Sequence, residues 1–212
     1  MTDDALRVVA AGLMRELGHE LVARDLSDDQ FVALISALRI ELEDARKAAP
    51  REREFSLDEV RITVPTFEEI GERQVFADSV VSGSANPMGF AAQFWREDDV
   101  ACMRVTFGKA FEGAPGRAHG GVVAALLDEV MGLMNAIYGA MAVTAQLDIT
   151  YHAPTPIEQP VEARARLTRS DDRKRFVEAT LHADDVLVAS AKALFITIDR
   201  STFIEQLLNG ED

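Results

Sequence analysis

The order of elements predicts an α+β fold: an antiparallel sheet wrapped around one long central helix, preceded by a helical extension. Three observations carry this. Apolar residues in the first fifty positions recur at steps of three and four. One long apolar stretch, residues 119–138, stands mid-chain. Strand-like runs flank it on both sides. A parallel βαβ arrangement needs a helix for each crossover, and only one interior helix is available.

Residues 3–49 read as helix. Leu6, Val9, Leu13, Leu17 and Leu21 form a first stripe, weakened in its middle by Gly18 and His19. Ser27-Asp28-Asp29 is a second helix start, where a short side chain caps and acids suit the positive end. Phe31, Leu34, Ile35, Leu38 and Leu42 continue as a second stripe, which Pro50 ends. Two such helices cannot bury their own apolar faces, so they should dock on the remainder or on a partner. This divides the chain into a helical extension (1–50), a charged, proline-punctuated connector (51–72), a sheet-and-helix domain (73–200) and a tail (201–212). Within the domain, strands are expected at 75–82, 90–96 and 100–108. A glycine-rich loop follows at 110–118, then the helix at 119–138. Further strands are expected at 142–152, 160–169, 174–183 and 186–198.

Composition narrows function. The 212 residues carry 36 acids and 22 bases, a net charge of −14. That argues against general nucleic-acid binding, which needs a basic face. Cys102 is the only cysteine, so an internal disulfide or thiolate zinc cluster is ruled out. The first residues, MTDDALRVVAAGLM, lack the basic start of a secretory signal, and no uninterrupted apolar run approaches 18 residues. The expected location is the cytoplasm, away from membranes. No GxSxG elbow, P-loop, HExxH or post-strand GxGxxG occurs, and His19, His119, His152 and His182 lack metal-site spacing.

The informative stretch runs from Gly113 to Glu129. A glycine loop leads into a helix that begins His119-Gly120-Gly121. The first N–H groups of a helix have no internal partner, and glycines let a carbonyl approach them. Such a junction is either an oxyanion hole or a plain, tightly packed helix entry. Asp128, nine positions after His119 in an apolar helix, is costly to bury without partners or a task. Glu129 beside it fits a solvent-facing turn equally well, and their separation of about 100° lets one face outward and the other a cleft.

The pattern H-G-G-x6-D at the start of a central helix resembles the PaaI-like hotdog-fold acyl-CoA thioesterases. A second block, Val143-Thr144-Ala145-Gln146-Leu147-Asp148-Ile149-Thr150-Tyr151 followed by Pro154, resembles that family's T-x-x-L-x-I-x-[YF]-x-x-P strand. The resemblance implies hydrolysis of an acyl-CoA to a free acid and coenzyme A, with no metal or redox cofactor and coenzyme A present only as part of the substrate. It implies a homodimer or a dimer of dimers (a homotetramer), with the site at the dimer interface. Asp128 takes the place of the catalytic carboxylate, acting as general base or nucleophile. Thr144 takes that of the hydroxyl positioning water or carboxylate, contributed across the interface. His119 and Gly120 match the junction whose backbone N–H polarises the thioester oxygen, with Gly121 beside them. Gly113 departs from the family, many members of which carry Asn there, so a side-chain donor is lost.

Arg164, Arg166, Arg169, Arg173, Lys174 and Arg175 face only Asp171 and Asp172, a local net charge of +4 in an acidic chain. Arginine forks suit phosphates, so Arg173 and Lys174, with Arg117 near them, are expected at the nucleotide end of coenzyme A; a solvated strand pair is the alternative. Two rival functions remain. One is a non-catalytic acyl-CoA-binding or regulatory module of the same fold. The other is a hotdog dehydratase or hydratase, whose differently placed His with Asp or Glu has no counterpart here.

Overall fold

A computed structural model describes residues 3–51, 64–69 and 77–199. Most of the expected connector and the whole 201–212 tail lie outside the described residues.

The helical extension is two helices, α1 (Asp3–Ala23) and α2 (Asp28–Lys47). Ser27 separates them with a capping box: the Gln30 N–H donates to its hydroxyl, and its own N–H donates to the Gln30 side chain. Asp28 and Asp29 at one end of α2, and Arg46 and Lys47 at the other, complement the helix dipole. The break in the stripe of α1 is its docking point. The Ala110 N–H donates to His19 Nδ1 over 3.1 Å, and Phe111 meets the imidazole edge-on, centroids 5.3 Å apart. A Cβ on Gly108 would lie 2.7 Å from that ring, so only glycine admits the helix so closely. Arg15 adds hydrogen bonds to the carbonyls of Ser84 (3.0 Å) and Asn86 (2.6 Å). Helix α2 buries none of its residues.

Six antiparallel strands follow: β1 (Gln93–Glu97), β2 (Val100–Thr106), β3 (Ala142–Tyr151), β4 (Pro160–Asp171), β5 (Lys174–Ala183) and β6 (Val186–Thr197). Their spatial order is β1-β2-β4-β5-β6-β3, which leaves β1 and β3 at the edges. Helix α3 (Gly120–Ile137) lies across one face. Val161, Ala163 and Ala165 of β4 and Val177, Ala179 and Leu181 of β5 alternate inward beneath it, while Glu162, Arg164 and Arg166 point to the other face. Leu126, Leu127, Val130, Met131 and Met134 are fully enclosed. Each buried side chain of this size contributes roughly 1.5–3 kcal/mol, so packing holds this glycine-containing helix in place. By length and composition alone α3 could also cross a membrane, which the absence of an unbroken apolar run had obscured; here it is the core helix of a sheet.

The strand expected at 75–82 does not form over its described part, 77–82, which turns instead. Gly83 is pressed into that turn, where a Cβ would lie 2.4 Å from the Ser79 backbone. The loop expected at 110–118 begins inside a single 3-10 turn, Lys109–Phe111.

Candidate active site

The entry of α3 is fixed by hydrogen bonds on three sides. His119 is its N-cap, and its Nδ1 accepts the Gly121 N–H over 3.0 Å. An N–H donor there places the proton of a neutral imidazole on Nε2. The His119 N–H donates to the Phe111 carbonyl over 2.8 Å. Tyr151, at the end of β3, donates its hydroxyl to the Gly120 carbonyl over 2.8 Å. What remains is the Gly120 N–H, which has no acceptor among the described residues. It borders a hollow of about 370 Å³ lined by Arg117, Gly120, Val123, Tyr151, His152 and Pro154. A single open N–H at a helix start, facing a hollow, can receive a developing negative charge.

The middle of α3 carries two adjacent carboxylates with different partners. Thr144 donates its hydroxyl to Asp128 Oδ1 over 2.8 Å. A bulge between Thr144 and Gln146 interrupts the pairing of β3 with β6 beside that contact. Glu129 turns instead to the 77–92 loop, accepting from the hydroxyls of Ser79 (2.8 Å) and Ser82 and from the Ser82 N–H (3.2 Å). So Glu129, half-buried, anchors a loop, and Asp128, equally half-buried, keeps one oxygen without a hydrogen-bond partner among the described residues. Thr144 reaches the carboxylate of its own chain, where the resemblance had implied one contributed across an interface.

Gly120 and Asp128 stand eight residues apart on one straight helix, about 12 Å along its axis. A carbonyl bond is about 1.2 Å long. One substrate carbonyl therefore cannot meet the Gly120 N–H and water held at Asp128 of the same chain.

Residues 115–190 match the thioesterase superfamily model. Over that stretch the chain is similar to the thioesterase superfamily, and its sheet and central helix share the hotdog fold. A solved thioesterase superfamily protein superposes with a TM-score of 0.76 at 26% identity, covering 90% of each chain. A phenylacetic acid degradation-related protein from Ralstonia eutropha JMP134 shares the fold at a TM-score of 0.51 and 24% identity, over 59% of this chain and 93% of that one. Among curated proteins, the acyl-coenzyme A thioesterase THEM4 of Mus musculus is 33% identical over 136 residues, 62% of this chain and 57% of the relative. The human acyl-coenzyme A thioesterase THEM5 is 30% identical over 86 residues, 41% of this chain and 35% of the relative. The chain spans little more than half the length of the curated relatives it matches.

Gly113, where many thioesterases of this type carry Asn, has a steric explanation. Its N–H donates to the Arg117 carbonyl over 2.9 Å, closing the loop so tightly that a Cβ would lie 2.9 Å from His119 Cα. The loop trades a side-chain donor for a close seat on the N-cap.

The basic residues are distributed. Arg164 is engaged by Glu97 and Glu162, and Arg169 stacks on Phe176 with its guanidinium 4.1 Å from the ring centroid. Arg173 lies in the two-residue β4–β5 turn and Lys174 opens β5; Arg173 fastens the turn to Thr197 through 2.8 and 3.1 Å hydrogen bonds. Thr197 pairs with Ala142, the first residue of β3, whereas Arg117 lies near Tyr151, the last. A ten-residue strand is about 30 Å long, so the structure does not bring Arg117 near Arg173 and Lys174 within one chain. Arg175 turns inward, 5.8 Å from the Tyr138 ring, with Nε and Nη1 buried and without acceptors among the described residues.

Sequence reasoning passed over Tyr151 as a hydrogen-bond donor and Glu129 as an anchor. The alternation of β3 could have flagged Tyr151, which shares a strand with Thr144. Nothing in the sequence links Glu129 to serines some fifty positions away.

Proposed function

We propose that the protein hydrolyses an acyl-CoA thioester to a free carboxylic acid and coenzyme A, at sites shared by two copies of the chain. The observation that carries this is the Thr144–Asp128 hydrogen bond at 2.8 Å, set about 12 Å from an open Gly120 N–H. The naming of THEM4 and THEM5 as acyl-coenzyme A thioesterases supports the substrate class.

The second copy follows from the edge of the sheet. β3 is ten residues long, unpaired on one side among the described residues, and presents Val143 and Tyr151 about half exposed. Such an edge invites pairing. Antiparallel pairing with β3 of a second chain sets the Thr144 end of one strand beside the Tyr151 end of the other. Asp128 and Thr144 of one copy then face Gly120 of the partner subunit. The same pairing brings Arg173 and Lys174 towards Arg117 of the partner subunit, forming a basic rim for the nucleotide phosphates.

Asp128 draws a proton from water, whose oxygen attacks the thioester carbon. Thr144 occupies Oδ1 and leaves Oδ2 for the proton. Charge on the carbonyl oxygen meets the Gly120 N–H at the positive end of α3, with His119 holding that turn and Gly121 locked beneath it. Collapse breaks the C–S bond, and the thiolate of coenzyme A takes up the proton. In the nucleophilic alternative Asp128 attacks the thioester carbon directly; the Thr144 hydrogen bond, which lowers the reactivity of Oδ1, favours the general base.

The test is release of free thiol from a panel of acyl-CoAs by the full chain and by Asp128→Ala. Hydrolysis that depends on Asp128 is expected. Binding without thiol release from any member overturns the proposal in favour of a binding module, and full activity in Asp128→Ala overturns the assignment of the base.

A further inference from the structure

Helix α2 presents an apolar seam to water. None of its 20 residues is buried. Phe31, Ile35, Leu38 and Leu42 are 40–51% exposed and succeed one another at steps of four, three and four. That is the spacing of a two-stranded helical seam. A lone helix of this length is marginal in water, so the seam calls for cover.

The charges at its two ends indicate the cover. Asp25, Asp28 and Asp29 cluster at the start of α2, and Arg46 and Lys47 at its end. The three acids and Arg46 make no ion pair among the described residues, while Lys47 pairs only with Asp44 on its own helix. A helix suited to this face is apolar along one seam, basic where α2 is acidic, and acidic where α2 is basic. The chain supplies that helix itself, reversed. A two-fold axis passing between Ser36 and Ala37 sets Phe31 opposite Leu42 and Ile35 opposite Leu38, with Asp28 of each helix beside Arg46 of the other and Asp29 opposite Asp44. Parallel pairing sets Asp25, Asp28 and Asp29 all against their own copies, and Arg46 and Lys47 against theirs. An anionic lipid surface is a poor alternative, because Glu41, Glu43 and Asp44 flank the same seam.

We propose that α2 pairs antiparallel with α2 of a second copy of this chain. The pairing is independent of the thioester site, because α2 contributes nothing to that site.

Crosslinking at the seam tests it. Full chains carrying Ile35→Cys and Leu38→Cys are oxidised separately and mixed, with Cys102 buried and out of reach. The expected result is a disulfide-linked dimer in the mixture and little in either variant alone. Strong linkage within each variant alone signals parallel pairing and overturns the proposal. No linkage in the mixture also overturns it, because another segment of the chain or a different protein then covers the seam. Charge reversal gives a second readout. Arg46→Glu with Lys47→Glu weakens self-association about tenfold, and so does Asp28→Lys with Asp29→Lys. Mixing the two charge-reversed chains restores it; failure to restore it overturns the antiparallel register. Acyl-CoA hydrolysis, assayed on the same variants, keeps the two proposals separable.

Discussion

Thr144, on an edge strand beside a bulge, donates its hydroxyl to Asp128 in the middle of the core helix across 2.8 Å. The bond joins the most exposed strand of the sheet to its most protected helix, and it differentiates the two oxygens of one carboxylate. Replacing Asp128 with Ala lowers hydrolysis by about 100- to 10,000-fold, the range for losing a positioned base. Thr144→Val lowers it about 10- to 100-fold through loss of a hydrogen bond to a charged group, and Thr144→Ser retains most of it. Thiol release at saturating substrate measures both.

Gly113 is where the loop meets the N-cap. Gly113→Ala forces a Cβ to within 2.9 Å of His119 Cα, and overpacking of this kind costs about 1–3 kcal/mol. The variant melts at lower temperature and hydrolyses more slowly. Gly113→Asn, which installs the residue many relatives carry, gains no activity for the same reason. Thermal melts alongside turnover rates check this.

Glu129 holds the 77–92 loop, which Arg15 of α1 also grips. Glu129→Ala leaves two serine hydroxyls and an N–H without their acceptor, a loss of about 1–3 kcal/mol. The loop becomes a protease target while the Asp128–Thr144 pair persists, so cleavage within 77–92 rises more than kcat falls. Limited proteolysis with mass mapping reads the difference.

His19 ties the docking of α1 to pH. Burial, then the nearby Arg15 charge, hold its imidazole below the ordinary 6.5. The unfolded chain therefore takes up this proton at a higher pH than the folded chain does. Stability from this group is fully present above the ordinary value and declines as pH falls from it towards the depressed one. Protonation also removes the lone pair that accepts the Ala110 N–H. Melts of the full chain soften between neutral and mildly acidic pH, and His19→Ala shows a shallower dependence.

Arg173 and Lys174 are separable from the chemistry. Replacing both with Ala raises KM for acyl-CoA well beyond its effect on a short acyl thioester that lacks the nucleotide, with kcat little changed. Equal effects on both substrates remove these residues from the phosphate rim. Steady-state kinetics on the two substrates decide it.

The sequence was most legible where one physical rule acted alone. Alternation and aspartate-rich turns placed β4, β5 and β6 to within about two residues, because each strand has one face on the core. Helix α3 was visible from its apolar run and its His-Gly-Gly start. The extension resolved into two helices at Ser27-Asp28-Asp29, where the structure adds a capping box with Gln30. It failed where a distant contact overrode local pattern. Residues 77–82 carry strand-like composition, yet Glu129 gathers Ser79 and Ser82 into a turn. Gly18-His19 read as a flaw in a stripe, and the imidazole is instead where the helix is fastened. The basic residues read as one patch in sequence, and ion pairing and strand length divide it in space.

Helix α3 is a fixed spacer between the Gly120 N–H and the Asp128 carboxylate. No side-chain rotation can close a gap of about 12 Å measured along hydrogen-bonded backbone. On the shared-site reading, chemistry belongs to the pair, and each pair holds two centres assembled from opposite halves. A chain damaged at Asp128 and joined to an intact one spoils one centre and leaves the other whole. A mixed population thus loses activity in proportion to the damaged fraction, and the intact chains do not rescue or poison the rest.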